Sequence, residues 1–240
     1  MVKDKRIFFN PVRMISPRLD SEATRLEELH RQPVSESLAF EEGLLVMLSK
    51  LIEMIRLIHE AHITGSADGL EVCWSLAQQV DQQEKFLLAD LTCSASIPPE
   101  LCKTFVMFPN RLGRAGDYLE RILACSEAKW REGLNFSDTA NEEVDQTFKL
   151  TLDMMINFRD TLIAPNGFLL EHVISQAEQL DQLCQDWQLT HVERLLKGSC
   201  APRVSSVFLD LLESTQSLGR HIREMAKKMH GFVQASRVTS

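Results

Sequence analysis

The chain has 240 residues, 44% hydrophobic and 25% charged, a balance that supports a globular core and one large or two small domains. A net charge of −8 argues against a nucleic-acid binder, which normally shows a basic balance or stripe. The six cysteines (Cys73, Cys93, Cys102, Cys125, Cys184 and Cys200) include no C-x-x-C pair, so neither a zinc ribbon nor a dithiol redox motif is indicated, and reduced thiols are expected.

Residues 1–34 carry Pro11, Pro17 and Pro33 among mixed charges and read as a lead-in segment. Their short apolar stretch, Ile7-Phe8-Phe9, is no signal-peptide core, and the apolar stretch from Leu44 to Ile58 is broken by Lys50, Glu53 and Arg56. A cytoplasmic protein is the expectation. From Ser35 to about His62, Leu44, Leu48, Leu51, Ile55 and Ile58 recur at spacings of three and four, the period of one helical face. Additional apolar positions at Leu45, Met47, Ile52 and Met54 widen that face enough for more than one neighbour. A breaker, Gly65-Ser66-Ala67-Asp68-Gly69, separates it from a second helix over about Leu70 to Asp90.

Ser96-Ile97-Pro98-Pro99 is the next break. A third helix is expected from about Pro99 to Trp130, with Phe105, Phe108, Leu112, Ala115, Leu119 and Ile122 on its stripe and a kink at Pro109. Gly113 and Gly116 each cost up to about 1 kcal/mol of helix propensity, so a close helix contact or a ligand is expected beside them. Ser137 or Asp138 caps a fourth helix carrying Val144, Phe148, Met155, Phe158 and Leu162. Pro165-Asn166-Gly167 ends it, a fifth runs from about Phe168 to Leu196, and a sixth from about Ser205 to Val233. Only ten Gly and eight Pro, with abundant straight-chain residues, agree with an all-α fold.

The order repeats. Residues 35–134 and 135–240 each contain three helices of similar length, and Gln78-Gln79-Val80-Asp81-Gln82 corresponds to Glu178-Gln179-Leu180-Asp181-Gln182. Two tandem three-helix antiparallel bundles are therefore expected.

Chemistry is sought on the polar positions. Asp81 and Glu84 share a helix face, as do Glu178 and Asp181, and Asp117 follows the two glycines of the third helix. Carboxylates on facing helices can hold a divalent metal, and they can equally form a solvated charged face. His59 and His62 lack the H-E-x-x-H spacing. They read as a helix-end pair offsetting the C-terminal dipole, with zinc binding the alternative. His172, His191 and His221 read as surface or satisfied residues, and Trp74, Trp130 and Trp187 as core or interface anchors. Arg220, Arg223, Lys227 and Lys228 read as the cationic end of a helix, or as a face for an anionic partner or membrane. There is no Walker loop, no dinucleotide fingerprint and no nucleophile elbow, and nothing in the chain demands an enzyme.

Leu112-Gly113-Arg114-Ala115-Gly116-Asp117-Tyr118 resembles the L-E-R-I-G-D-H-A segment of PhoU-type proteins, matching at Arg114, Gly116 and Asp117. Leu218-Gly219-Arg220-His221 resembles its second copy, with Arg220 in the place of the acid. The acidic pairs of the second and fifth helices resemble that family's E/D-x-x-x-D motif, with a spacing of three in place of four. His191-Val192-Glu193-Arg194-Leu195 and Ser16-Pro17-Arg18-Leu19-Asp20 are similar to the PhoU-like domain of Na/phosphate cotransporters. The resemblance implies a non-enzymatic regulator of phosphate uptake and signalling. Its implied partners are phosphate transporter subunits or a Na/phosphate cotransporter and a sensor histidine kinase, with membrane association through the partner and homodimerisation as further implications. It also implies iron, zinc or another divalent metal at Asp81, Glu84, Asp117, Glu178 and Asp181, of which Arg220 disfavours the second set. The alternatives are a carboxylate-rich metal-binding bundle enzyme and a structural, dimerising helical module.

Overall fold

A computed structural model describes residues 34–93, 105–198 and 200–238, so the lead-in and the Ser96–Pro99 break lie outside the described residues. Six helices follow in order: α1 (Val34–Thr64), α2 (Leu70–Cys93), α3 (Phe108–Arg131), α4 (Asp138–Ile163), α5 (Gly167–Leu196) and α6 (Pro202–Val238). Each has a local cause. Ser137 caps α4 by accepting from the Ala140 amide, and Asn166 caps α5 by accepting from the amides of Phe168 and Leu169. Gly133 and Gly198, at φ 63° and 72°, take the left-handed turn that lets the chain leave α3 and α5.

One expectation is corrected. Pro109 does not kink a longer helix. It stands in the first turn of α3, after a turn at Val106–Met107, where its missing N–H breaks no helical hydrogen bond and its fixed φ suits the start. The stripe predicted around it survives: Phe108, Leu112, Ala115, Leu119 and Ile122 are all fully buried.

Helices α1, α2 and α3 pack on one another, as do α5 and α6 with α4, and the two bundles join through α1 against α4 and α3 against α6. The hydrophobic core is consequently continuous across both halves, while α2 and α5 lie outermost. Buried Thr147, Thr151 and Thr215 satisfy their hydroxyls on carbonyls one turn back, so they enter the core without an unpaired donor.

The repeat is visible in the packing. A methyl added at Gly116 would meet Val80 and Leu51, and one added at Gly219 would meet Leu180 and Met154. Gly219 and Met154 lie 103 positions beyond Gly116 and Leu51, and Leu180 lies 100 beyond Val80, so matching glycines face matching partners. Tyr118 and His221 are matched as well, and their rings meet at a tilt across the α3–α6 contact, 5.6 Å apart. Matched residues meeting at one interface are what a two-fold relation between the halves produces.

Candidate functional site: an acidic face and a histidine-rich end

On the α2–α3 face, Gly113 has one clear purpose. The Glu84 carboxylate lies where a Cβ of residue 113 would be, and it accepts a hydrogen bond from Asn110 Nδ2 at 3.3 Å. Burial raises the Glu84 pKa, and the charges of Asp117 and Asp81 push it further, against the Asn110 hydrogen bond and the Arg114 charge. Glu120 is raised by burial and by the same two aspartates. Four carboxylates thus share one field, of which Asp81 is paired with Lys85 at 2.6 Å and Asp117 with Arg114 at 3.2 Å. Glu120 and Asn110 were absent from the sequence candidates. The spacing of three from Asp117 to Glu120, already applied to Asp81 and Glu84, is the signal that finds Glu120.

The matching α5–α6 face is built differently. Arg220 Nε binds Asp181 at 2.9 Å, and Lys227 lies 3.7 Å from Glu178. Gln185 also donates to Asp181. Two of the four cations of the basic cluster are therefore spent within the fold, Lys228 is exposed, and Arg223 Nε is buried without a hydrogen-bond partner. A fixed guanidinium on the carboxylate does not fit a divalent metal there. Among the described residues, no three or more His, Cys, Asp or Glu side chains converge as a metal-ligand group, on this face or on the first.

A second concentration of polar side chains gathers at one end of the molecule, where α1, α3 and α5 finish and α4 and α6 begin. His59 Nε2 hydrogen-bonds Asp145 at 2.7 Å, and Lys149 holds the other oxygen of the same carboxylate. Both histidines pack edge-on against Phe148, at 5.7 Å for His59 and 5.8 Å for His62, but His62 turns also to Phe136 and shares no hydrogen-bond partner with His59 among the described residues. Burial and then the Lys129 charge push the His62 pKa down to about 4, leaving it neutral near pH 7. His191, read as a surface or satisfied residue, is buried and half-satisfied: it is 1% exposed and stacked on Phe208 at 4.4 Å, its Nδ1 lies 3.4 Å from Arg194 Nη2, and its Nε2 has no hydrogen-bond partner among the described residues. Beside it Arg194 makes a two-pronged pair with Glu143 at 3.1 and 2.7 Å. His172 is exposed, as expected, and His221 Nδ1 meets Arg111 at 3.2 Å. Trp187 packs on the core, and Trp130 is 60% exposed.

No nucleophile emerges from these groups. Burial lifts the thiols of Cys73 and Cys125 to about 11 and that of Cys184 to about 12, so each stays protonated near neutrality. No helix among the described residues is long and apolar enough to cross a membrane.

No family model matches the sequence, and no curated protein matches it. Solved structures do. PhoU from Pseudomonas aeruginosa superimposes with a TM-score of 0.77 at 17% identity, covering 85% of this chain and all of that one. The phosphate transport system regulatory protein PhoU from Streptococcus pneumoniae gives 0.64 at 14% identity, covering 82% of this chain and 95% of that one. The chain has a PhoU-like fold along nearly all of its described length.

Proposed function

We propose that this protein is a non-enzymatic regulator of phosphate uptake and signalling that works through contacts with a phosphate transporter and with a sensor kinase. The observation that carries the proposal is the full-length likeness of fold to PhoU from Pseudomonas aeruginosa, together with a sequence whose third and sixth helices resemble the PhoU-type motif. The chemistry present favours binding over turnover: the buried thiols of Cys73, Cys125 and Cys184 are protonated, His59 is tied to Asp145, and Glu178 and Asp181 of α5 face Lys227 and Arg220.

The outermost helices are suited to protein contacts. Phe86 on α2 is 65% exposed and Leu189 on α5 is 68% exposed among the described residues, large apolar side chains on the outermost helices. Metal is confined in this proposal to the first half, where Asp81, Glu84 and Asp117 share a field, and no step of the regulation runs through it. The test is co-purification of the full chain with the transporter subunits and sensor kinase of its host, alongside phosphate uptake in cells lacking the protein. Association, with uptake altered by the deletion, is the expected result. Binding to neither component and unchanged uptake would refute the proposal.

A further inference from the structure

A cavity of about 220 Å³ opens at the histidine-rich end, between the finish of α1, the start of α2, the last turns of α3 and the α3–α4 loop. Leu211 of α6 closes it, so both halves of the protein contribute. Leu70, Leu134 and Phe136 give it an apolar wall, and Lys129, His62 and Ser126 supply its polar groups. The exposed Trp130 stands at its edge and also lines the neighbouring shallow depression.

Lys129 distinguishes this cavity from ordinary surface relief. It is half-buried, and its ammonium sits 5.0 Å from the centre of the Phe136 ring. Among the described residues no carboxylate pairs with it, although this acidic chain supplies one to Arg194, Arg203, Arg220 and Lys149. Burial lowers its pKa, as expected for a cation taken from water without a counter-charge. Its position in the last turn of α3 lets the helix dipole offset part of the charge, but that is only about half an elementary charge. His62 beside it is neutral and brings no repelling charge.

We propose that this cavity binds a small organic anion, a carboxylate or phosphate ester whose head pairs with Lys129 and whose apolar body lies against Leu70, Leu134, Phe136 and Leu211. The size fits one ring or a short chain plus a headgroup, since an apolar cavity of roughly 150 Å³ already accepts benzene. The inference is independent of the regulatory reading above and stands or falls without it.

The test uses the full chain and four probes at pH 7: benzoate, benzyl alcohol, benzylamine and inorganic phosphate, by calorimetry and ligand-observed NMR. Benzoate should bind roughly tenfold tighter than benzyl alcohol, the usual worth of one charge-assisted hydrogen bond. Benzylamine should not bind, and inorganic phosphate should bind more weakly than benzoate because it leaves the apolar wall uncovered. Lys129→Met should remove the preference for benzoate over benzyl alcohol while Lys129→Arg retains it. Ser126→Leu, which fills the cavity, should abolish both. Contacts between the benzoate ring and the Leu134 and Phe136 side chains, read by NMR on the unmodified protein, test the placement even if a variant does not fold. Equal affinity for benzoate and benzyl alcohol, phosphate binding tighter than benzoate, or an unchanged preference in Lys129→Met would each overturn the proposal.

Discussion

Replacing Gly219 and Gly113 by alanine should move stability in opposite directions, although both are buried glycines of matching helices. Alanine gains up to about 1 kcal/mol of helix propensity at either site. At Gly219 the new methyl would lie 2.8 Å from Leu180 Cδ2, and Leu180 is itself fully buried. Forcing such a side chain to repack costs about 1–3 kcal/mol, so the net effect is a loss of roughly 0–2 kcal/mol. At Gly113 the obstacle is the Glu84 carboxylate, the free end of a flexible, partly exposed side chain. It can swing into water, losing one 3.3 Å hydrogen bond from Asn110 but recovering its hydration. Gly113→Ala should therefore be neutral or stabilising by up to about 1 kcal/mol. For a chain of this length each kcal/mol is worth roughly 2–4 °C in Tm, and paired thermal and urea melts will separate the two variants. The Glu84 carboxyl, read by NMR titration, should also fall towards the ordinary carboxylate range in Gly113→Ala as burial is relieved. A Gly219→Ala protein that melts at or above Gly113→Ala, or a Glu84 titration that does not move, would refute the packing argument.

The pair of Glu143 and Arg194 is 8% and 19% exposed, so Arg194→Met should cost about 3–5 kcal/mol by stranding a buried carboxylate, and Glu143→Leu added to it should recover most of that loss in a double-mutant cycle. His62 titrates at about 4 in the folded chain against 6.5 when unperturbed, so the unfolded chain takes the proton first as pH falls. Stability should decline between those two values by about 3 kcal/mol, with the buried His191 shifted in the same sense, and a urea-melt loss as large in His62→Gln as in the parent protein would contradict this. Exhaustive treatment with a chelator should leave the Tm within about 1 °C, because no three-ligand group converges among the described residues, and a fall of several degrees would reveal a structural metal.

What was legible in the sequence followed the range of the signal. Helix spans came from apolar spacing and local punctuation, signals that act over one or two turns, and they match the observed helices to within about five residues except at the start of the third, which begins at Phe108 where Pro99 was expected. Pro109 was misread because a proline at a helix start and a proline inside a helix look alike until the start is known. The acidic face was legible as pairs on single helices. Glu120 shares the spacing of three already used for those pairs, but the part of Asn110, and the role of Gly113 as the seat of a carboxylate, depend on how α2 lies across α3. At the histidine-rich end only the pair His59 and His62 was legible. His62, Phe136, Glu143, His191, Arg194 and Phe208 come from five separate stretches of chain, and no spacing rule joins them before the bundle is closed.

The two halves keep one fold while diverging in charge, and the divergence falls at matched positions of α3 and α6, Asp117 against Arg220 and Glu120 against Arg223. Asp117 and Arg220 follow matched glycines. In the first half this adds an acid to a face that already carries Asp81 and Glu84, where burial first, and the charges of Asp117 and Asp81 after it, raise the pKa values of Glu84 and Glu120. In the second half it supplies the cation that binds Asp181, and that face closes on itself. Core packing tolerates either choice, because the matched glycines have already fixed how closely α3 approaches α2 and α6 approaches α5. A partner that reads shape alone would find two equivalent surfaces related by the internal two-fold. A partner that reads charge would distinguish them, because among the described residues the α2–α3 face keeps its acids crowded while Asp181 and Glu178 of the α5–α6 face are paired with Arg220 and Lys227.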